Sequence, residues 1–339
     1  MADLTRFDIV LPLSDAKTCE DRARDLAVKL KPDWNKDSIT FEIFNAGITN
    51  KIFSAQVSDE DNDDRLIFRV FGKNTEKVID RPHELECWAV LAKQGLAAKL
   101  YAKFTNGLIC GYLPGKSLSL KQVKEPFIQK EICRAMAHMH SIPVEDAVPC
   151  VVGKTWEFYK NFTMPFEDDS QQKMFEKHFP RCLKEEIKEL VALVQDSGED
   201  VGFTHNDLLI HNILYDKKTE KVSFIDYEYA DTNYILFDIA NHFNEYSGVD
   251  NADYSLCPKS EEKKAFIRDY LAFRHGQVDE NILTRMSRNT PLFEAASHLF
   301  WSVWALVQAQ NSLIDFDYLG YAVTRHEQYK KRLDKFRKQ

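Results

Sequence analysis

The sequence lacks the closely spaced cysteine pairs from which zinc ribbons and disulfide frameworks are built. Its seven cysteines are scattered, odd in number and never spaced as C-x-x-C, which favours a reducing compartment. It also lacks an excess of positive charge. The 45 Lys and Arg residues stand against 53 Asp and Glu residues, giving a formal net charge of −8. This balance argues against a surface that binds nucleic acid.

Long apolar runs are also missing. The most membrane-like segment is LFWSVWALV at 299–307, which is too short to span a bilayer and predicts a buried helix. The N-terminal stretch MADLTRFDIVLPL has no basic segment followed by a long apolar run, so no secretory signal peptide is predicted. We therefore expect a cytoplasmic protein that does not insert into membranes.

The 339 residues, 44% of them hydrophobic, exceed the usual size of a single core and predict two lobes or two domains. Apolar residues alternate with polar ones in three early segments, which predicts short strands at 39–43, 51–57 and 66–71. Because tight connections join these strands, we expect an antiparallel sheet.

Helical patterns dominate later in the chain. Helices are expected near 15–31 and 84–93, and a strand at 108–113 ends at the breaker pair Pro114-Gly115. Beyond that pair the chain is expected to turn helical, with a short strand at 222–225 and helix from there to 339. The predicted fold is α+β, with a small antiparallel-sheet lobe at 1–113 and a large, mostly helical lobe at 114–339.

The segment THNDLLIHNILY at 204–215 carries the spacing H-x-D-x-x-x-x-N through His205, Asp207 and Asn212. This spacing is typical of a kinase catalytic loop, in which the Asp orients a hydroxyl group and the Asn binds magnesium. The alternative is a buried turn whose polar side chains cap one another.

A second acidic position favours the catalytic interpretation. Asp226 lies fourteen positions after Asn212, at the end of the strand in FIDYEY, where protein kinases carry a metal-binding Asp. Carboxylate and amide oxygens suit Mg²⁺. The order of the two motifs favours a metal site over an Asp226 that only caps a turn.

Upstream residues are candidates for contacts with the nucleotide. The turn at 45–50 could cradle phosphates with its backbone N–H groups, although an ordinary β-turn would look the same. A cation within a strand is costly unless it is paired, and a glutamate on the following helix is its natural partner. The candidate residues are Gly47, Ile48, Thr49, Asn50, Arg69 and Glu84.

Four segments together resemble the choline/ethanolamine kinase family: AKLYAKFTNGL (98–108), 204–215, FIDYEYADTNYILFDIANHFNEYSGV (224–249) and SHLFWSVWALVQAQNSLIDFDYLGYA (297–322). The resemblance implies a kinase-like fold, similar to that of aminoglycoside phosphotransferases. It also implies transfer of the γ-phosphoryl group of ATP, with Mg²⁺, to the hydroxyl of a small amino alcohol. For ethanolamine this is the first step of phosphatidylethanolamine synthesis by the CDP-ethanolamine route.

The resemblance also assigns roles by position. Asp207 is expected to be the catalytic base, and Asn212 and Asp226 the magnesium ligands. Arg69 takes the place of the usual lysine, with Glu84 as its partner. The segment 110–113 becomes the adenine hinge, with Cys110 and Tyr112 as contacts.

An acceptor pocket for a cationic amino alcohol is implied around Glu245, which matches the family's ammonium-binding glutamate. Trp301, Trp304 and Tyr321 match aromatic wall positions, although two tryptophans on an apolar helix are also typical of core packing. The residues after Glu245 supply few aromatic rings, whereas a quaternary ammonium needs an aromatic cage. Ethanolamine is therefore the expected substrate.

Three alternatives stay open at this point. The enzyme could be a choline kinase or a dual choline/ethanolamine kinase, or the chain could be a catalytically silent scaffold. The oligomeric state is not determined, and a homodimer is one option.

Overall fold

The computed structural model describes residues 4–44, 50–57, 64–71, 80–145, 147–179, 181–312 and 314–339. The chain divides into two compact units. Unit 1 comprises Met1–Lys116 and Leu214–Tyr229, and unit 2 comprises Ser117–Ile213 and Ala230–Gln339. The expected division at 113/114 stays a prediction; the compact units differ from it in that 214–229 return to unit 1.

Unit 1 contains a six-stranded sheet with the order β1-β5-β6-β4-β3-β2. Its strands are β1 (Thr5–Phe7), β2 (Thr40–Phe44), β3 (Asn50–Gln56), β4 (Leu66–Phe71), β5 (Leu100–Phe104) and β6 (Gly107–Gly111). The antiparallel pairing of β2, β3 and β4 is confirmed. At the far edge, however, β1 pairs with β5 in parallel.

Two helices belong to unit 1, α1 (Ala16–Leu30) and α2 (Arg81–Lys93). Asp15 caps α1 and Asp80 caps α2, each by accepting a backbone N–H from three residues later. The buried face of α1 joins a core that includes the stacked rings of Phe53 and Phe68, with centroids 5.1 Å apart. Burial of these apolar surfaces stabilises the sheet against α1.

The later part of unit 1 contains a β-hairpin. Strand β9 (Ile213–Asp216) is hydrogen-bonded to β10 (Lys221–Phe224), which confirms the strand expected at 222–225. The short strand β7 (Lys116–Ser117) lies at the point where the chain leaves unit 1.

Unit 2 is built mainly from helices: α3 (Pro126–His140), α4 (Cys150–Asn161), α5 (Asp169–His178), α6 (Leu183–Gln195), α7 (Ile235–Asn244), α8 (Ser260–His275), α9 (Glu280–Asn311) and α10 (Tyr318–Arg337). The buried α9 packs against α4, α7, α8 and α10. Because α9 is covered on several sides, its apolar residues lie on several faces. The buried helix predicted at 299–307 is part of it.

One strand pair interrupts the helices of unit 2. Strand β8 (Val201–Thr204) pairs antiparallel with β11 (Asp231–Tyr234). The expectation of helix throughout the region after 225 was therefore wrong at β11. Its sequence, DTNY, has too few apolar residues to show a two-residue period, and its partner strand lies about thirty positions away.

Disulfides and membrane-spanning helices can be assessed for the described residues. No disulfide joins the seven cysteines, all of which lie within the described ranges. Of the helices that the structure describes, none is both long enough and apolar enough to cross a bilayer.

Gly107 gives a test of packing in the unit 1 sheet. A Cβ at this position would overlap the Phe104 ring and the backbone carbonyl of Arg69. We expect Gly107→Ala to lower the free energy of unfolding by about 1–3 kcal/mol, because neither neighbour can move easily. Gly153→Ala is the matched control, since nothing lies within 4 Å of a Cβ there. Equal urea-unfolding curves for the two variants would contradict this account.

Candidate active site

The candidate catalytic loop begins immediately after β8 and is held by one carboxylate of α7. The backbone N–H groups of His205 and Asn206 donate to Asp238 Oδ2 and Oδ1, at 2.9 and 2.8 Å. Asp238 therefore satisfies two adjacent buried N–H groups at once. Asp238 therefore braces the start of the loop.

Asn206 adopts a left-handed backbone conformation, with φ 65°. Its side-chain Oδ1 accepts hydrogen bonds from Thr204 Oγ1 at 3.0 Å and from Asn233 Nδ2 at 2.8 Å. Asparagine is one of the few residues that adopt this conformation readily. Asn206 is therefore a structural residue that turns the chain into the loop.

Asp238 is fully withdrawn from solvent and also contacts His140. His140 Nε2 donates to Asp238 Oδ2 at 3.0 Å, and the Tyr270 hydroxyl lies 2.9 Å from His140 Nδ1. Burial lowers the pKa of His140, which keeps the ring neutral. Burial would raise the pKa of Asp238, but the hydrogen bonds from His140 and the loop hold it below its ordinary value. Asp238 is therefore a carboxylate at neutral pH.

The two loop residues with predicted roles in catalysis, Asp207 and Asn212, differ in their surroundings. Asn212 is buried, and its Nδ2 donates to the backbone carbonyl of Asp207 at 2.9 Å, which closes the loop. Asp207 itself is half-buried, between the buried Asn206 and Leu208. The loop is thus anchored by buried residues on both sides of the partly exposed Asp207. His205 is fully buried, which suits a structural role.

Unit 1 contains a cluster of five charged side chains, which we name the acid–arginine cluster: Arg69, Arg81, Glu84, Asp226 and Glu228. The expected ion pair between Arg69 and Glu84 is present at 2.6 Å, and Arg69 also contacts Asp226 at 3.1 Å. Arg81 donates to Glu84 at 2.7 Å and to Glu228 at 3.1 Å. Glu228 contacts Arg69 as well.

Two arginines and three carboxylates leave the cluster with one net negative charge. Burial acts to lower the pKa of Arg69, but the carboxylates of Asp226, Glu84 and Glu228 raise it above its ordinary value. Arg69 therefore stays cationic. Arg81 and Glu228 were not predicted as site residues. Arg81 stands three residues before Glu84 on one helix, a spacing at which ion pairs form.

Asp226 is the most accessible carboxylate of the cluster, with 39% of its side chain exposed. Its backbone has φ 70°, a strained conformation for a residue other than glycine, and such strain is frequent at functional sites. The buried Tyr227 anchors the turn, because its hydroxyl donates to the Leu96 carbonyl at 3.1 Å. The turn thus fixes the direction in which Asp226 points.

The donor set of the cluster suits a hard divalent cation. Oxygen atoms of Glu84, Asp226 and Glu228 lie within 4.8 Å of one another. The two arginines already contact Glu84 and Glu228, so Asp226 is the carboxylate best able to bind Mg²⁺. Asn212, its predicted co-ligand, belongs to unit 2, and the role of each residue in metal binding stays a prediction.

The predicted nucleotide contacts are described only in part. Gly47, Ile48 and Thr49 lie outside the described residues, and Asn50 begins β3, where its backbone is paired with Phe71. Cys110 is buried in β6, and burial raises the pKa of its thiol to about 12. Tyr112 is half-buried just after β6, with the Arg65 guanidinium 5.0 Å from its ring centroid. The hinge role of 110–113 stays a prediction.

The predicted ammonium-binding residue forms a buried ion pair. Glu245 follows α7 directly and is 3% exposed. Its Oε1 accepts from Arg325 Nη1 on α10 at 2.8 Å. Within the described part of the chain, no hydrogen-bond donor reaches the buried Oε2. One oxygen of this carboxylate is therefore paired, and the other has no donor among the described residues.

The aromatic residues expected around this pocket have different environments. Trp301 is buried in the core, and its indole N–H donates to Asn241 Oδ1 at 2.9 Å. Trp304 is half-buried and packs edge-on against Trp301 and Tyr318, at 5.4 and 5.8 Å. Tyr321 is half-buried, 5.6 Å from the Arg325 guanidinium. Their place in an aromatic wall stays a prediction.

Tyr321 has a raised pKa. Burial raises the pKa of its phenol; Arg325 acts to lower it, whereas Glu245, Tyr254 and Asp207 add to the increase. Asn241, three positions after Asp238 on α7, forms its described hydrogen bonds with Ser297 and Trp301 on α9.

Comparison with known proteins agrees with this geometry. The profile of the choline/ethanolamine kinase family matches residues 41–330. Ethanolamine kinase 1 of Mus musculus is 36% identical, over 96% of this chain and 93% of its own. The structure of an ethanolamine kinase from Plasmodium vivax is 26% identical, with a TM-score of 0.79 over 93% of this chain and 89% of that one. A choline kinase from Cryptosporidium parvum, 23% identical, shares the fold, with a TM-score of 0.75 over 95% of this chain and 96% of that one.

The fold and the site together define a kinase-like phosphotransferase. The chain belongs to the choline/ethanolamine kinase family. The fold class and the family resemblance predicted from the sequence are thus confirmed.

The pH dependence of unfolding tests the role of the Asp238 carboxylate. In Asp238→Asn one of the two loop N–H groups loses its acceptor, so we expect a loss of about 1–3 kcal/mol in unfolding free energy at neutral pH. The pKa of Asp238 is lower in the folded than in the unfolded state. The carboxylate therefore contributes its full stabilisation at pH values above the unfolded-state pKa, near 4. This stabilisation is lost as the pH falls through the folded-state pKa.

Urea unfolding of the wild type and Asp238→Asn between pH 3 and pH 8 measures this difference. It should be constant above about pH 5 and should shrink below about pH 4. The exposed Asp334→Asn on α10 is the control and should change stability little at any pH. A constant difference down to pH 3 would exclude the role assigned to the Asp238 carboxylate.

Proposed function

We propose that this protein transfers the γ-phosphoryl group of ATP to the hydroxyl of ethanolamine, giving phosphoethanolamine and ADP. The observation that carries the proposal is the buried Glu245 carboxylate, with Oε1 paired to Arg325 and Oε2 without a donor among the described residues. A buried carboxylate oxygen is costly to leave unpaired, and a small ammonium group would satisfy it. Family membership and relatives that are themselves named ethanolamine kinases support the same substrate.

The donor requirement favours ethanolamine over choline. A primary ammonium carries N–H groups that can donate to Glu245 Oε2, whereas a trimethylammonium group carries none and depends on aromatic faces. The Trp301 ring is buried in the core, which leaves fewer faces for such a cage. Choline is therefore expected to be the poorer substrate.

The proposed mechanism gives a role to each of the predicted site residues. Asp207 accepts a hydrogen bond from the substrate hydroxyl and orients it toward the γ-phosphorus, as the loop Asp does in kinases. Arg69 offers positive charge to the phosphates. Asn212 and Asp226 would hold Mg²⁺, which supplies neutralisation of phosphate charge when bound. Positioning and charge compensation supply most of the rate enhancement in phosphoryl transfer. The cysteine pattern fits a cytoplasmic enzyme.

The direct experiment is a coupled ADP-release assay with ethanolamine, choline and the N-methylated intermediates. We expect the highest kcat/KM with ethanolamine. Asp207→Ala should lower kcat by about 10²–10⁴-fold, because the hydroxyl loses its orienting base. The melting temperature should not change, since Asp207 is half-buried and its backbone contacts are retained. A wild-type preference for choline would reject the substrate, and near-normal turnover by Asp207→Ala would reject the catalytic assignment.

The metal assignment has its own test. Chelation of divalent ions should abolish ADP release, and addition of Mg²⁺ should restore it. Asp226→Asn keeps a residue that tolerates φ 70° but removes the charge, so the Mg²⁺ concentration for half-maximal activity should rise about tenfold or more. The control is Glu220→Gln, which removes a carboxylate from another left-handed position, in the β9–β10 turn. An equal Mg²⁺ requirement in both variants would argue against Asp226 as a ligand.

A further inference from the structure

Arg325 is part of neither the catalytic loop nor the acid–arginine cluster, yet it contacts the residue expected to bind the substrate. We infer that Arg325 is a positioning residue that occupies one oxygen of Glu245 and so presents only Oε2 to the substrate ammonium. This inference rests on the proposed function and adds to it the residue that fixes the geometry of the amine site.

The contacts of Arg325 explain how it can hold Glu245 in one orientation. The side chain is 1% exposed on α10. One terminal nitrogen donates to Glu245 Oε1 at 2.8 Å, and the other donates to Ser297 Oγ at 3.1 Å. Because the guanidinium group is planar and rigid, two contacts in different directions fix both its position and the direction of the Glu245 bond.

Ser297 continues the hydrogen-bond network into the core. Its hydroxyl accepts from Arg325 and from Asn244 Nδ2, and donates to Asn241 Oδ1 at 2.7 Å. Asn241 Oδ1 also accepts from the Trp301 indole. The orientation of Glu245 is therefore tied to residues of α7, α9 and α10 that do not move easily, because each is buried and bonded.

Several buried atoms of this network have no partner among the described residues. Glu245 Oε2, Arg325 Nε and Asn241 Nδ2 are buried and have no hydrogen-bond partner among the residues described. A network that served stability alone would be expected to pair these atoms. The unpaired acceptor on Glu245 is the one that a substrate ammonium can use.

Charge alone does not account for the choice of arginine. A lysine at 325 would supply the same charge, but its single ammonium group could not span Glu245 and Ser297 with fixed directions. The inference therefore distinguishes a positioning role, which needs both contacts, from a counter-charge role, which needs one.

The test compares Arg325→Lys, Ser297→Ala and Arg325→Gln by steady-state kinetics, with ethanolamine and ATP varied separately. Arg325→Lys should raise KM for ethanolamine by about tenfold, corresponding to the weakening of one charge-assisted contact, with kcat and KM for ATP changed by less than about threefold. Ser297→Ala should raise the same KM by a smaller factor. Arg325→Gln should have the largest effect.

The matched control is Arg332→Gln, which removes an arginine seven positions later on α10. Arg332 lies 3.8 Å from Glu294, and none of its described contacts is with Glu245. Its KM for ethanolamine should stay within about twofold of wild type. If Arg325→Gln does not fold, Arg325→Lys and Ser297→Ala decide the result.

Three outcomes would overturn the inference: an unchanged KM for ethanolamine in both Arg325→Lys and Ser297→Ala, an equal increase in the KM for ATP, or an equal effect of Arg332→Gln. Failure of the proposed function is distinct, because it would appear as a wild-type enzyme that does not phosphorylate ethanolamine at all.

Discussion

A carboxylate withdrawn from water needs a hydrogen-bond donor for each oxygen, and this requirement organises the described parts of both units. In unit 2, Asp238 receives the two N–H groups that begin the catalytic loop, together with His140. In unit 1, Glu84 receives one arginine on each oxygen. Glu245 departs from this pattern, because only one of its oxygens has a described donor. The incomplete pairing sets Glu245 apart from Asp238 and Glu84, whose oxygens all have described donors.

Local patterns predicted the elements whose neighbours in sequence are also their neighbours in space. Strands β2 to β4 showed alternation, and the helix expected at 15–31 lies within one residue of the observed bounds of α1. Strand β1 is three residues long and pairs in parallel with a strand almost a hundred positions away, so nothing local could indicate it. The prediction was wrong at β11 for a related reason, because its polar sequence becomes a strand only through pairing with β8. Tertiary pairing overrides propensity in such short segments.

The same difference between local patterns and long-range pairing applies to the candidate site. Asp207, Asn212 and Asp226 could be named from the sequence because the chemistry requires them at fixed spacings along a loop and a strand end. The pairs between Arg325 and Glu245, 80 positions apart, and between Arg81 and Glu228, 147 apart, involve separate elements and leave no local signal. Trp301 shows another limit: an apolar helix face looks alike whether it packs into a core or lines a pocket, and only burial decides between them.

The left-handed backbone at positions 206 and 226 has a consequence for how far these sites can vary. Most side chains are excluded at φ 65° and φ 70° before any chemical role is considered, and Gly, Asn and Asp are the residues that fit best. Position 226 must also supply a carboxylate if it binds a metal, which leaves aspartate alone. Position 206 must supply an acceptor for Thr204 and Asn233, which excludes glycine. Backbone shape and side-chain chemistry together thus narrow each position to one or two amino acids, a stricter limit than either sets separately.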